Sequence, residues 1–319
     1  MITGWYPPHL ASLNSPDFHG EKGPKMGTKK KLAAAIVAVA MSTLTACGIT
    51  QPAVGQLGED QKLLAACPDK KLASMASVDV SGTGRDEEVA AGHLKAISFV
   101  VRQTAICGGH LRITAFAGTS AVNRELYDGE LQLAGATDIA RLRRAPGVVD
   151  EVMSQVTKSY REALTLPPPG DGSDIIGQYR LAQEYGTQLG AQYALGFVLL
   201  TDGFQTVGAG ALDHPLAAKE ATQLAERLDL PKLPGASVVV AGLGKVAGTP
   251  PSSDVVEGVV RFYDAICART GAAECRSVTD FTVGGDCDGA PPSDVVDAAV
   301  CGRGGRPGRD DRWHQPSAD

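Results

Sequence analysis

Two stretches of the chain, Tyr193–Thr201 (YALGFVLLT) and Ser237–Ala241 (SVVVA), are apolar at consecutive positions rather than alternate ones. Successive side chains of a strand point to opposite faces, so a strand that is apolar throughout needs cover on both. That cover exists in parallel sheets, whose crossover helices pack above and below. The surrounding segments fit the same scheme. Leu72–Val80 reads as a first strand, Leu111–Phe116 as a second, a weaker third lies within Val122–Leu133, and Val278–Val283 reads as the last. Asp86–Ile106 carries Val89, Leu94, Ile97, Phe99, Val100 and Val101 at helical spacing and is closed by Gly108-Gly109. Helical segments follow at Asp138–Leu164, before Pro167-Pro168-Pro169, and at Ile175–Leu189, Pro215–Leu228 and Val255–Ala268. The expected fold is α/β: a doubly wound, mostly parallel central sheet with helices on both faces and ligands at the carboxyl ends of its strands. No internal repeat is visible.

The compartment is read from the N-terminal region. From Met26 the sequence runs through Lys29-Lys30-Lys31, an apolar stretch from Leu32 to Met41, and small residues ending in Leu44-Thr45-Ala46-Cys47. This is the tripartite layout of a secretory signal. The apolar stretch is short for a membrane span, which needs about 20 residues. Leu-Thr-Ala-Cys resembles the bacterial lipobox, which implies that Cys47 is acylated and becomes the new N-terminus after cleavage. Each buried methylene contributes about 0.8 kcal/mol, so two or more acyl chains anchor stably. Residues 1–25 have no part in this layout, and Met26 is the expected start. The expected localisation is the cell membrane, lipid-anchored, on its extracytoplasmic side.

A length of 319 residues with 43% hydrophobic and 21% charged suits one principal domain. The expected organisation is an extension and signal over 1–47, a polar tether over 48–66, the domain over 67–285, and a largely disordered, cysteine-containing tail over 286–319. A net charge of −6 and the absence of a basic stripe disfavour nucleic acid as a partner. Without Cys47, six cysteines remain: Cys67, Cys107, Cys267, Cys275, Cys287 and Cys301. An even number in an oxidising compartment points to disulfides, and no C-x-x-C spacing supports zinc. In a doubly wound sheet Cys67 and Cys107 fall at one edge, as do Cys267 and Cys275, leaving Cys287 for Cys301. This is one of 15 pairings that six cysteines allow.

The first strand ends in Asp79-Val80-Ser81-Gly82-Thr83. The second apolar element of interest ends in Thr201-Asp202-Gly203, and Gly172-Ser173-Asp174 opens a helix. These three pieces resemble the von Willebrand factor A family, with its metal-ion-dependent adhesion motif Asp-x-Ser-x-Ser/Thr, over residues 72–283. The resemblance implies a cation held by Asp79, Ser81, Thr83, Ser173 and Asp202, with hydroxyls binding directly and carboxylates partly through water. Mg²⁺ is the expected ion, with Mn²⁺ or Ca²⁺ as substitutes, since hard cations take oxygen ligands. With only two carboxylates nearby, the cation keeps a net positive field. An acidic group of a protein or cell-envelope partner can then complete its coordination. Serine stands at 173 where the family usually has threonine; it keeps the hydroxyl but lacks the methyl that limits rotamers, which implies weaker metal binding. The stretch from Ala117 to Pro169 is long for a simple domain of this family.

Other readings fit less well. Asp79-x-Ser81-x-Thr83 brushes against haloacid dehalogenase-type phosphatases, whose pattern is Asp-x-Asp-x-Thr, but a serine at 81 cannot serve as their general acid and base. Gly285-Asp286-Cys287-Asp288 has neither that family's later spacing nor a calcium loop's ligands. Gly242-x-Gly244-x-x-Ala247 meets a dinucleotide fingerprint formally, yet Pro250 and Pro251 precede the next helix. His93 and His110 stand apart from any obvious nucleophile and are expected in packing or surface roles. No enzymatic activity is expected; the alternatives are a lipid-anchored solute-binding protein, which would need two lobes around a cleft, and a Mg²⁺-dependent phosphatase.

Overall fold

A computed structural model describes residues 55–118, 123–165, 173–204, 212 and 214–284. Leu44-Thr45-Ala46-Cys47, Cys287, Cys301 and Gly285-Asp286-Cys287-Asp288 lie outside the described residues. The element order is α1 (Gln56–Ala65), β1 (Lys71–Asp79), α2 (Glu87–Cys107), β2 (Gly109–Phe116), β3 (Arg124–Leu131), α3 (Asp138–Leu142), α4 (Ala145–Thr165), α5 (Ile175–Leu189), β4 (Tyr193–Leu200), α6 (Ala218–Glu226), β5 (Ser237–Ala241), α7 (Ser253–Thr270) and β6 (Glu274–Val278). The strands form one sheet in the order β3-β2-β1-β4-β5-β6, parallel except for the edge strand β3, which runs antiparallel to β2. The expected α/β architecture is present.

The consecutive apolar positions of β4 divide between two cores. Phe197 and Leu199 face Tyr179, Phe262, Tyr263 and Ile266 on the side of α5, α6 and α7. Val198 and Leu200 face the opposite side, with Ile97, Val100 and Val101 of α2 and Val152 and Val156 of α4. All of these residues are buried, and each side chain of that size stabilises the fold by about 1.5–3 kcal/mol when fully removed from water. The long stretch after β2 supplies the edge strand and two helices, with α4 packed on α2 and β3.

Two expectations are corrected. Residues 56–65 belong to helix α1 and not to a tether. Leu57, Leu63 and Leu64 pack on the α2 core, Arg102 of α2 binds the buried Asp60 at 2.7 Å, and Cys67 is bonded to Cys107. The last strand is Glu274–Val278, ahead of the apolar Val278–Val283 run. Its register is set by pairing with β5 and by the Cys267–Cys275 bridge from α7. Both described disulfides have the expected pairing, and no helix among the described residues is long and apolar enough to cross a membrane.

Candidate metal centre

The loops after β1, β2, β4 and β5 meet at the carboxyl rim of the sheet. β1 stops at Asp79, and the Val80 amide still bonds to the Phe116 carbonyl at 2.9 Å, so the strand end is fixed before the chain turns. Ser81 leads into a single 3-10 turn, Gly82–Arg85, and Asp86 then caps α2 by accepting from the Glu88 and Val89 amides at 2.9 and 3.3 Å. Gly84 is required here: a Cβ at that position would overlap the Asp79 carbonyl.

Ser173 arrives from a different part of the chain. It pairs with Gly118, just beyond β2, and the Asp174 amide donates to the Gly118 carbonyl at 2.8 Å. Asp174 caps α5 with its own carboxylate, through the Gly177 amide at 2.9 Å, while the Ser173 hydroxyl reaches Ser81 at the rim. Asp202 follows β4. Its Oδ1 accepts from the Phe204 amide at 3.0 Å, its carbonyl accepts from the Gly244 amide at 2.8 Å, and Gly203 continues at φ 81° with no room for a side chain.

Asp79, Ser81, Thr83, Ser173 and Asp202 thus gather at the rim as two hydrogen-bonded groups, Asp79–Ser81–Ser173 and Thr83–Asp202, with the two carboxylates close enough to repel each other. Asp79 Oδ1 accepts from the Ser81 amide at 2.9 Å and its Oδ2 from the Thr201 hydroxyl at 3.0 Å. Ser173 Oγ donates to Ser81 Oγ at 2.9 Å, and the Thr83 hydroxyl donates to Asp202 Oδ2. Sequence reasoning does not single out Thr201 as a site residue; its only signal is its place between a buried strand and Asp202.

Burial raises the Asp79 carboxyl above the usual range, against the hydrogen bonds from Ser81, Ser173 and Thr201. Burial likewise pushes Asp202 up to about 6, with the Asp79 charge adding to it and the Thr83 and Phe204 bonds opposing. Among the described residues no cationic side chain figures in the groups acting on either. The chemistry of the rim is therefore two crowded carboxylates with three neutral hydroxyls from Ser81, Thr83 and Ser173, all hard oxygen atoms. Such a donor set fits Mg²⁺ or a similar cation, which would relieve the repulsion between the two carboxyls. Among the described residues no group of three or more His, Cys, Asp or Glu gathers to hold a metal, so an ion here would depend on the hydroxyls.

The remaining sequence candidates take structural places. His93 is buried and bonds Tyr160 through Nδ1 at 2.9 Å. His110 lies between Asp128 at 3.3 Å and the Tyr185 hydroxyl at 3.1 Å. Gly242 and Gly244 turn at φ 93° and 77° and lead through Pro250 and Pro251 to α7, so the glycine pair buttresses Asp202 and opens no helix.

No family profile matches the chain, and no curated protein matches it. Solved structures that it is similar to include two of proximal thread matrix protein 1 from the mussel byssus, one of them in crystal form 2. Each is 13% identical with a TM-score of 0.34, over 67% of this chain and 45% or 44% of that one. Another is the pilus adhesin SpaC from Lactobacillus rhamnosus GG in its open conformation, 11% identical with a TM-score of 0.37, over 67% of this chain and 28% of that one. The chain spans less than half the length of each of these proteins.

Proposed function

We propose that this chain is a von Willebrand factor A-like binding module. In this reading Asp79, Ser81, Thr83, Ser173 and Asp202 hold a divalent cation, Mg²⁺ by preference, and through it an acidic group of a protein or cell-envelope partner. The observation that supports it is the convergence, from three separated segments, of two carboxylates and three hydroxyls with no cationic side chain acting on them among the described residues. When bound, the cation supplies a positive field and an open coordination position. The protein's part is to leave the coordination incomplete: one oxygen from each of the five side chains falls short of the octahedral set a hard cation takes, and the hydroxyls add oxygen atoms without adding charge. A lipid on Cys47 would hold the module at the outer face of the membrane, where its disulfides persist.

The test is calorimetric titration of Mg²⁺ and Mn²⁺ into the wild type and Asp79→Ala, with partner capture from cell-envelope extract in the presence and absence of chelator. Asp79→Ala is expected to remain folded, to lose metal binding, and to capture nothing. Unchanged metal affinity in that variant removes the cluster from consideration.

A further inference from the structure

Residues 279–284 leave β6 as a strap that crosses toward α2. It is fixed at several points. The Arg276 guanidinium donates to the Thr282 and Gly284 carbonyls, both at 3.1 Å, and the Thr282 amide donates to the Asp280 carboxylate at 2.9 Å. The Val278 and Asp280 carbonyls accept from the Gly242 amide at 3.1 and 2.8 Å. The Phe281 ring sits in a notch between two glycines, since a Cβ on either Gly92 or Gly242 would overlap it. It meets His93 edge to face, with centroids 4.9 Å apart and planes at 85°.

Each wall of that notch supports one half of the oxygen cluster. On one side His93, anchored to Tyr160, lies under the turn that carries Thr83: its Cε1 would be 3.8 Å from a Cβ on Gly84. On the other side Gly242 opens the turn whose Gly244 amide holds the Asp202 carbonyl at 2.8 Å. The Thr83–Asp202 hydrogen bond joins the two halves. A single rigid ring therefore touches what supports both ends of that bond.

We infer that Phe281 is a positioning residue for the cluster: its ring, wedged between Gly92 and Gly242, sets the spacing between the Thr83 turn and the Asp202 loop. The consequence for cation binding rests on the function proposed above; the consequence for the two loops does not. Outer groups that orient metal ligands typically change affinity by about 10- to 100-fold when lost. Leucine at 281 fills most of the notch, whereas alanine lets the two walls relax separately.

The experiment compares wild type, Phe281→Ala, Phe281→Leu and Val101→Ala in the full chain; Val101→Ala is a control that empties part of the same core away from the notch. Mg²⁺ and Mn²⁺ affinity and hydrogen exchange at residues 82–85 and 202–204 are read together. Phe281→Ala is expected to weaken metal binding about 10-fold and to speed exchange at both loops; Phe281→Leu restores most of each, and Val101→Ala changes neither. Gly92→Ala, which displaces the ring without removing it, should act like Phe281→Ala and replaces it should that variant not fold. Exchange at the two loops that is unchanged by Phe281→Ala, or equally raised by Val101→Ala, overturns the inference. If the wild type binds neither ion, the metal reading fails, and the exchange comparison still decides whether Phe281 positions the loops.

Discussion

Asp60 and Asp79 are both buried aspartates, and the fold treats them differently. Asp60 is 0% exposed on α1; burial raises its carboxyl, and the first influence opposing that is Arg102, bonded at 2.7 Å. Asp79 is 3% exposed at the end of β1, and burial raises its carboxyl too, but hydroxyls and an amide are all that oppose it. The same contrast holds around each residue. Near α1 a disulfide closes the structure, and Arg102 pairs with Glu59 at 3.2 Å on the surface as well as with Asp60 inside. The rim instead crowds Asp202 against Asp79.

One end of the sheet thus neutralises its buried charge internally, whereas at the other the groups acting on Asp79 and Asp202 include no cationic side chain among the described residues. A buried charge without a counter-charge is costly. It sits at the carboxyl ends of the strands, the end at which α/β sheets generally take ligands, which is why the function proposed above places the cation there.

Three measurements test that contrast. The largest effect should come from acid, through His93 beside the rim. Burial lowers its pKa from 6.5 to about 3. Because the folded value is depressed, the unfolded chain takes up the proton first as pH falls. The contribution of neutral His93 is therefore complete above pH 6.5 and is lost between 6.5 and about 3, reaching about 5 kcal/mol at the acid end. His93→Gln should remove that part of the acid sensitivity, and parallel urea titrations of both proteins from pH 7 to 4 read the difference. Identical pH profiles would show that His93 accepts its proton without penalty.

Next in size is Arg102→Ala, which leaves Asp60 buried with its principal counter-charge gone. Stability should fall by about 3 kcal/mol in denaturant titration while cation affinity stays at the wild-type value. A matching loss of affinity would show that the two ends are not independent. The smallest effect is at Ser173. Threonine there limits the rotamers of the hydroxyl that bonds Ser81, and Ser173→Thr should tighten Mg²⁺ binding by a few fold, about 0.5–1 kcal/mol, with little change in stability. Weaker binding would show that the added methyl does not fit beside Gly118.

The parts of this structure legible in the sequence are those governed by local pattern. β4 and β5 read directly because their consecutive apolar positions call for a strand covered on both faces, and β1 reads from its run of small and apolar residues before Asp79. Helix α1 does not read, since only Leu57, Leu63 and Leu64 pack inward and the partner of its buried Asp60, Arg102, is 42 residues away. The last strand misleads for the opposite reason: Val278, Phe281 and Val283 form an apolar run, whereas Glu274-Cys275-Arg276-Ser277 looks polar. Pairing with β5 outweighs that pattern, and the apolar residues serve a strap instead. At the rim, each short motif can be read on its own. The bond that joins Thr83 to Asp202 across 119 residues cannot, nor can the wedge of Phe281 between Gly92 and Gly242.

Strand β1 lies in the middle of the sheet, with parallel neighbours on both sides, and Asp79 is its last residue. An axial pull on β1 against the rest of the sheet has to slide it past β2 and β4 at once, so it loads both ladders together in shear. Hydrogen bonds loaded that way share the force, whereas a peeled edge strand gives them up singly. The strand that ends in Asp79 is for that reason held more firmly against an axial pull than the edge strand β3 is against peeling.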